Sequence, residues 1–127
     1  MDLPYERGGL LAPYNEQQHL WVVMNDECGD GQCLLLMITT IYENRKSDTA
    51  CVLNAGDHPF ITHPSYVAYR LAQMPRADHV RRMLDKKYYV SKEHFEKPVF
   101  DRISAGLFQS DHCSGTVRKY ASTVGLG

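Results

Sequence analysis

The stretch Cys33-Leu34-Leu35-Leu36-Met37-Ile38-Thr39-Thr40-Ile41 is a continuous apolar run that carries two hydroxyl residues near its end. An Asp/Gly segment precedes it, and the polar residues 43–45 follow it. An apolar run of this length between turn-forming segments is typical of a β-strand buried on both faces. Because side chains alternate along a strand, we expect one of the two threonines to point inward and the other into a cleft. The sequence therefore predicts a site at this strand end.

Strand patterns also lie on both sides of this run. Residues 19–24 (His-Leu-Trp-Val-Val-Met) form a second strong strand pattern, and the short Asp/Gly connection predicts antiparallel pairing with the central run. Residues 1–17 include Gly8, Gly9 and Pro13, so they are predicted to be an irregular lead-in. Downstream, residues 50–53 predict a short strand, and the two prolines in residues 58–64 predict an edge or a loop.

Residues 65–72 alternate as a strand does. The alternation predicts two faces. One face carries Tyr66, Ala68, Arg70 and Ala72, and the other carries Val67, Tyr69 and Leu71.

The chain then changes to a helical pattern. Apolar residues recur at helical spacing in residues 77–87, again from Pro98 onward, and less strongly in residues 114–121. A short strand or turn is predicted near Tyr88. Strands followed by helices predict an α+β fold, a small β-barrel with C-terminal helices, built as one domain over residues 1–127.

Composition excludes some classes of protein. The 127 residues are 43 % hydrophobic and carry a formal net charge of −1, so a binder of nucleic acid that works by bulk positive charge is excluded, although a local basic groove is not. No apolar run approaches the ~20 residues that span a bilayer. The N-terminus lacks the pattern of a signal peptide, which predicts a cytoplasmic location and no membrane partner.

The four cysteines have two open interpretations. Cys28 and Cys33, together with His58 and His63, could form a zinc site, but both spacings are at the loose end of those that zinc sites use. The alternative is buried thiols, since Cys33 and Cys51 fall inside predicted strands. We favour buried thiols and predict neither a metal ion nor another cofactor.

Three segments resemble one known family. They are residues 19–26 (His-Leu-Trp-Val-Val-Met-Asn-Asp) with the Asp/Gly turn after them, the strand that closes in Ile38-Thr39-Thr40, and residues 64–69 (Pro-Ser-Tyr-Val-Ala-Tyr). Their order resembles the PemK/MazF toxins of toxin–antitoxin systems. The resemblance covers residues 19–72, and residues 56–66 are similar to a divergent branch of that family. It implies an SH3-like barrel over about residues 19–72, a helical part over about residues 76–122, and a homodimer.

The same resemblance implies a function and a set of site residues. PemK/MazF toxins are metal-independent endoribonucleases that a cognate antitoxin protein neutralises. Thr39 matches the family's active-site threonine, and His19 stands where the family has its catalytic arginine. Cleavage through a 2′-hydroxyl needs a base, an acid and a cation, which predicts His19, Thr39 and His58 as catalytic residues. The predicted RNA-binding residues are Thr40, His63, Tyr66 and Arg70.

A second interpretation is a protein with the same barrel that does not catalyse RNA cleavage. A non-catalytic SH3-like module could bind nucleic acid or a partner protein through the same residues. The replacement of the family's arginine by His19 favours this alternative, whereas Thr39 and the histidines favour the nuclease.

Overall fold

The computed structural model describes residues 5–26 and 31–126, so Cys28 and most of the predicted Asp/Gly turn lie outside the described residues. Within these ranges the chain forms six strands and three helices. In chain order they are β1 (Gly9–Tyr14), β2 (Gln17–Val23), β3 (Leu35–Thr40), β4 (Val52–Leu53), β5 (Ser65–Gln73), α1 (Ala77–Asp85), β6 (Val90–Lys92), α2 (Lys97–Gln109) and α3 (Gly115–Thr123).

The strands form one antiparallel sheet in the order β4-β5-β3-β2-β1-β6. The α+β class is therefore confirmed. The predicted antiparallel pairing of the first two strand patterns is confirmed as well, since β2 and β3 pair from Leu20 opposite Ile38 to Val23 opposite Leu35. The central run thus forms an interior strand of the sheet.

A hydrophobic core packs on each face of the sheet, and β3 contributes apolar side chains to both cores. Leu34, Leu36 and Ile38 belong to the first core, which α2 and α3 complete with Ile103, Leu107 and other residues. Leu35 and Met37 belong to the second core, to which α1 contributes Val80. Alternation along one strand therefore fills two separate cores, as a continuous apolar strand requires.

The predicted irregular lead-in is wrong, because β1 pairs with β2 along its whole length and with β6 on its other side. The sheet thus extends beyond residues 19–72 at both ends. The two glycines suggested a loop, but Gly9 has a packing role within β1. A Cβ atom on Gly9 would lie 2.4 Å from the carbonyl oxygen of Glu93. This glycine lets the segment after β6 approach β1 closely.

A bulge in β5 corrects the predicted faces of that strand. Met37 pairs with Ala68, and Leu35 pairs with Gln73. These two pairs are two residues apart along β3 but five residues apart along β5. The extra residues exchange two side chains between the faces: Leu71 packs on the second core and Ala72 on the first. Arg70 lies within this bulge and is exposed.

The helices agree with the predicted helical patterns, and none of those in the described ranges is long and apolar enough to cross a membrane. The α2 helix approaches the sheet closely at Gly106, where a Cβ atom would lie 2.3 Å from the Tyr69 hydroxyl oxygen. That hydroxyl donates to the carbonyl of Ile103 at 2.7 Å. α2 is thereby fixed over β5.

Candidate functional site

The site begins where the ladder between β2 and β3 stops. The paired residues end at Leu20 and Ile38, although β2 starts three residues earlier and β3 continues to Thr40. The β1–β2 hairpin goes on past this point and turns at Asn15 and Glu16, whose positive φ values are those of a tight hairpin turn. The two strands therefore separate, and a cleft opens between them.

Main-chain groups face this opening. At the other end of the pair, the N–H of Met24 donates to the carbonyl of Leu34 at 2.8 Å. Because hydrogen-bonded positions alternate along an antiparallel pair, the main-chain groups of Gln18 and Thr40 point toward each other across the opening. The ladder has ended there, so these groups are available to a ligand.

The cleft has a volume of about 740 Å³ and brings together four of the seven predicted site residues. These are His19 on β2, Thr39 and Thr40 at the end of β3, and His63 just before β5. Both threonines line it, so the expectation that only one would do so is not met. Aromatic residues flank the opening, and the exposed fractions of Tyr42 and Phe60 are 50 % and 45 %.

Local contacts orient the imidazole of His19. It pairs with Ala12 in the β1–β2 ladder, and the ring of Tyr14 meets it edge-on with centroids 6.5 Å apart. Tyr14 in turn packs edge-on against Trp21, whose indole N–H donates to the carbonyl of Ala12 at 3.1 Å. The half-buried His19 thus rests on a chain of aromatic contacts that starts in the second core.

The opposite wall of the cleft is the segment between β4 and β5. Its end is joined to β3 by a hydrogen bond of 3.0 Å from the N–H of Ile41 to the carbonyl of Pro64. The hydroxyl of Ser65 donates to the carbonyl of His63 at 2.9 Å, and Ser65 pairs with Thr40. These bonds fix the backbone of the exposed His63 beside the threonines.

Arg45 is a site residue that the sequence reasoning missed. Its guanidinium carbon lies 5.1 Å from the centroid of the Tyr42 ring, and both residues line the cleft. Their turn is closed by a hydrogen bond from the N–H of Arg45 to the carbonyl of Tyr42 at 3.2 Å. The signal available in the sequence was a tyrosine followed three residues later by an arginine, directly after the strand that carries the threonines, because an arginine can stack on an aromatic ring. Arg45 gives the cleft a permanent positive charge.

His58 does not join this cleft, although the sequence predicted it as a catalytic residue. Its side chain is 2 % exposed and stacks on Phe95, with ring centroids 4.4 Å apart. The main-chain N–H of Phe60 donates to Nδ1 at 3.0 Å, so the Nε2–H donates to the carbonyl of Glu93 at 2.7 Å. With both ring nitrogens occupied, His58 joins the cleft wall to the segment after β6.

Tyr66 and Arg70 line a second cleft, of about 450 Å³, on the other side of the 42–48 segment. Lys46, Asp48 and His112 are among its other lining residues. The predicted RNA-binding residues are therefore divided between two clefts.

The described cysteines lie in the cores. Cys33, Cys51 and Cys113 are buried, and burial raises the pKa of the Cys51 thiol and of the Cys113 thiol. Cys28 lies outside the described residues. In the described ranges, no group of three or more His, Cys, Asp or Glu side chains is arranged to hold a metal ion. The thiols thus form part of the packing and leave the cleft to imidazole, guanidinium and hydroxyl groups.

No protein-family model and no curated protein matches this chain.

Proposed function

We propose that this protein is a metal-independent endoribonuclease of the PemK/MazF toxin type and that the cleft between β2 and β3 binds the RNA. One observation carries the proposal. Two imidazoles, two threonine hydroxyls and a guanidinium, which belong to three separate segments of the chain, line the same cleft: His19, Thr39, Thr40, Arg45 and His63. These are the group types that cleavage through a 2′-hydroxyl requires.

The proposed reaction assigns a role to each group. His63 accepts the proton of the 2′-hydroxyl, whose oxygen attacks the adjacent phosphorus. Arg45 and the hydroxyl of Thr39 stabilise the negative charge that develops on the phosphoryl oxygens. His19 donates a proton to the 5′-oxygen as its bond to phosphorus breaks. The products are a 2′,3′-cyclic phosphate and a 5′-hydroxyl, and no metal ion or cofactor takes part.

Arg45 supports the nuclease despite the change at position 19. The family's arginine is replaced by His19, and histidine carries a positive charge only in its protonated form. Arg45 approaches the same cleft from the turn after β3. A guanidinium from this turn can supply the charge that the missing arginine would supply from β2.

The proposal includes the architecture and partners of the family. An SH3-like barrel is supported by the approach of the sheet's two ends, since His58, after edge strand β4, donates to Glu93, after edge strand β6. A homodimer agrees with the exposed apolar side chains next to and within β6, Tyr88 and Val90, which are 63 % and 45 % exposed. Trp21 does not support dimerisation, because it is buried. A cognate antitoxin and a cytoplasmic location complete the proposal.

The test uses purified protein and single-stranded RNA in the presence of EDTA. We expect fragments with 2′,3′-cyclic phosphate and 5′-hydroxyl ends, and no cleavage of fully 2′-O-methylated RNA. His19→Ala should lower the cleavage rate on the order of 10²–10⁴-fold. His94→Ala is the matched control, because His94 is exposed and does not line the cleft.

One result would contradict the nuclease, and another would contradict the role of His19. If wild-type protein binds RNA but leaves it intact, the non-catalytic binding module replaces the nuclease; the histidine at the position of the family's arginine favours that second candidate. If His19→Ala cleaves RNA as fast as His94→Ala, the role of His19 as the acid is wrong.

A further inference from the structure

A row of side chains runs across the sheet from the first cleft to the second. Thr39 pairs with Tyr66, and Tyr66 pairs with Val52, so these three side chains share one face of the sheet. His19 lies on the same face, because it alternates with Leu20 and shares the face of Trp21. The row therefore crosses β2, β3, β5 and β4 at nearly one level.

This row lies just beyond the part of the sheet that α1 covers. The next residues along the strands on the same face, Trp21, Met37 and Ala68, are buried in the second core with Val80 of α1. By contrast, His19, Thr39 and Tyr66 are half-buried and Val52 is exposed. The row is thus a strip of accessible sheet surface that joins the two clefts.

The second cleft holds two permanent positive charges, which its one described carboxylate does not fully neutralise. Lys46 and Arg70 are exposed, and neither forms an ion pair or a hydrogen bond through its side chain within the described ranges. His112 is also exposed there. Among the described residues one carboxylate lines this cleft, that of Asp48, and it accepts hydrogen bonds from the Ser110 hydroxyl at 2.5 Å and from the N–H of Ala50 at 3.0 Å.

We infer that an RNA strand held in the first cleft continues across the sheet over Tyr66 and that the second cleft binds its flanking phosphates through Lys46 and Arg70. This inference rests on the proposed function. Neighbouring strands of a sheet lie about 5 Å apart, so Tyr66 is only about 10 Å from His19 across β3. An aromatic side chain on an open sheet surface offers a stacking platform for a base, and the cations beyond it receive the backbone.

The shared wall of the two clefts supports a continuous path. Arg45 lines the first cleft and Lys46, the next residue, lines the second. Consecutive cations on opposite sides of one turn hold positive charge along the path of the strand rather than at a single point. Phosphates on either side of the turn can then be bound by the same short segment.

The experiment measures binding of 2′-O-methyl RNA, which lacks the attacking hydroxyl, at several salt concentrations. The probes are a dinucleotide, which the first cleft can accommodate, and a 12-mer, which reaches the second. We expect the Lys46→Ala/Arg70→Ala double variant to bind the 12-mer about tenfold more weakly, with a salt slope lower by about 0.7 for each lost phosphate contact. Its affinity for the dinucleotide should be unchanged.

The control removes the same charges elsewhere. Arg82→Ala/Lys86→Ala takes one exposed arginine from α1 and the exposed lysine that directly follows the helix, both outside the two clefts, and should leave the affinity for both probes unchanged. If Lys46→Ala/Arg70→Ala binds the 12-mer as wild type does, or weakens both probes equally, the second cleft has no separate role and the inference fails alone. If wild type binds neither probe, the proposed function fails together with it.

Discussion

The two ends of the β2–β3 pair are built in opposite ways. At one end the ladder is extended and closed by Asn25, which is 4 % exposed. Its side-chain oxygen accepts from the N–H of Leu34 at 2.8 Å, and its amide donates to the Tyr120 hydroxyl at 3.1 Å. At the other end the ladder stops at Leu20 and Ile38, and the polar residues beyond them face a cleft.

This difference separates the residues that stabilise the fold from those available for chemistry. At the closed end, a buried main-chain donor has one partner, and that partner is a side chain fixed by further hydrogen bonds. At the open end, the hydroxyl and imidazole groups are reached by solvent and contribute little packing. Substitutions at the two ends should therefore change different measured quantities.

The largest expected effect comes from His63 at the open end and its contrast with His58. His63→Ala should lower RNA cleavage on the order of 10²–10⁴-fold, because it removes the proposed general base, and leave the free energy of unfolding within about 0.5 kcal/mol. His58→Ala should lower the free energy of unfolding by about 2–4 kcal/mol, because it removes a buried ring and leaves the Phe60 N–H without its acceptor.

Cleavage assays well below the unfolding temperature, combined with urea unfolding, measure both quantities. His58→Ala should keep most of its cleavage rate in that assay. A His58→Ala protein that is as stable as wild type but inactive would return His58 to the catalytic residues.

A smaller effect is expected at the closed end. Asn25→Ala removes the acceptor of the buried Leu34 N–H, and leaving such a donor unpaired costs about 1–3 kcal/mol of unfolding free energy. Thr40→Ala, the control at the open end, should cost less than about 1 kcal/mol, since Thr40 is half-buried and contributes chiefly β propensity. Urea denaturation gives both values, and equal losses would remove the distinction between the two ends.

The last expected effect is a loss of stability at alkaline pH, which tests how completely the first core excludes water. Burial raises the pKa of Cys51 above its usual value of 9.0 and also raises the pKa of Tyr69 and of Cys113. Above pH 9 the unfolded chain loses thiol protons that the folded protein keeps. The folded state then binds more protons, so its stability is complete below pH 9 and falls as pH rises.

The fall is at most about 1.4 kcal/mol per pH unit for each group, and urea midpoints at pH 8 and pH 10 measure it. Cys51→Ala should reduce the fall, because one of the three groups is gone. The same midpoint at both pH values for wild type would mean that burial does not hold the protons on these groups.

The sequence predicted the interior of the sheet better than its edges. An apolar run such as that of β3 can be satisfied only by burial on both faces, so its position and its pairing with β2 were predictable. β1 was missed because Gly9 has a long-range packing role that its neighbours in sequence do not reveal. The exchange of Leu71 and Ala72 was missed because a bulge changes the alternation without a composition signal.

The same limit applies to the candidate site. His19 and Thr39 were predicted from their places in a resemblance and lie in one cleft. His58 and His63 have the same flanking chemistry, a proline directly after each, yet one is buried and the other exposed. What distinguishes them is Phe95 and Glu93, more than 30 residues away, and only the fold brings these residues to His58.

The bulge in β5 also limits how this chain can change in length. Removing or adding one residue there would exchange the faces of the side chains on one side of the change, so Leu71 or Arg70 would be directed into the wrong environment. The exposed residues between β4 and β5 belong to no strand, so a change in their number does not exchange the faces of side chains in the sheet. Natural variants of this protein that differ by an insertion or deletion are therefore expected to differ at the rim of the first cleft and to keep the residue count of β5.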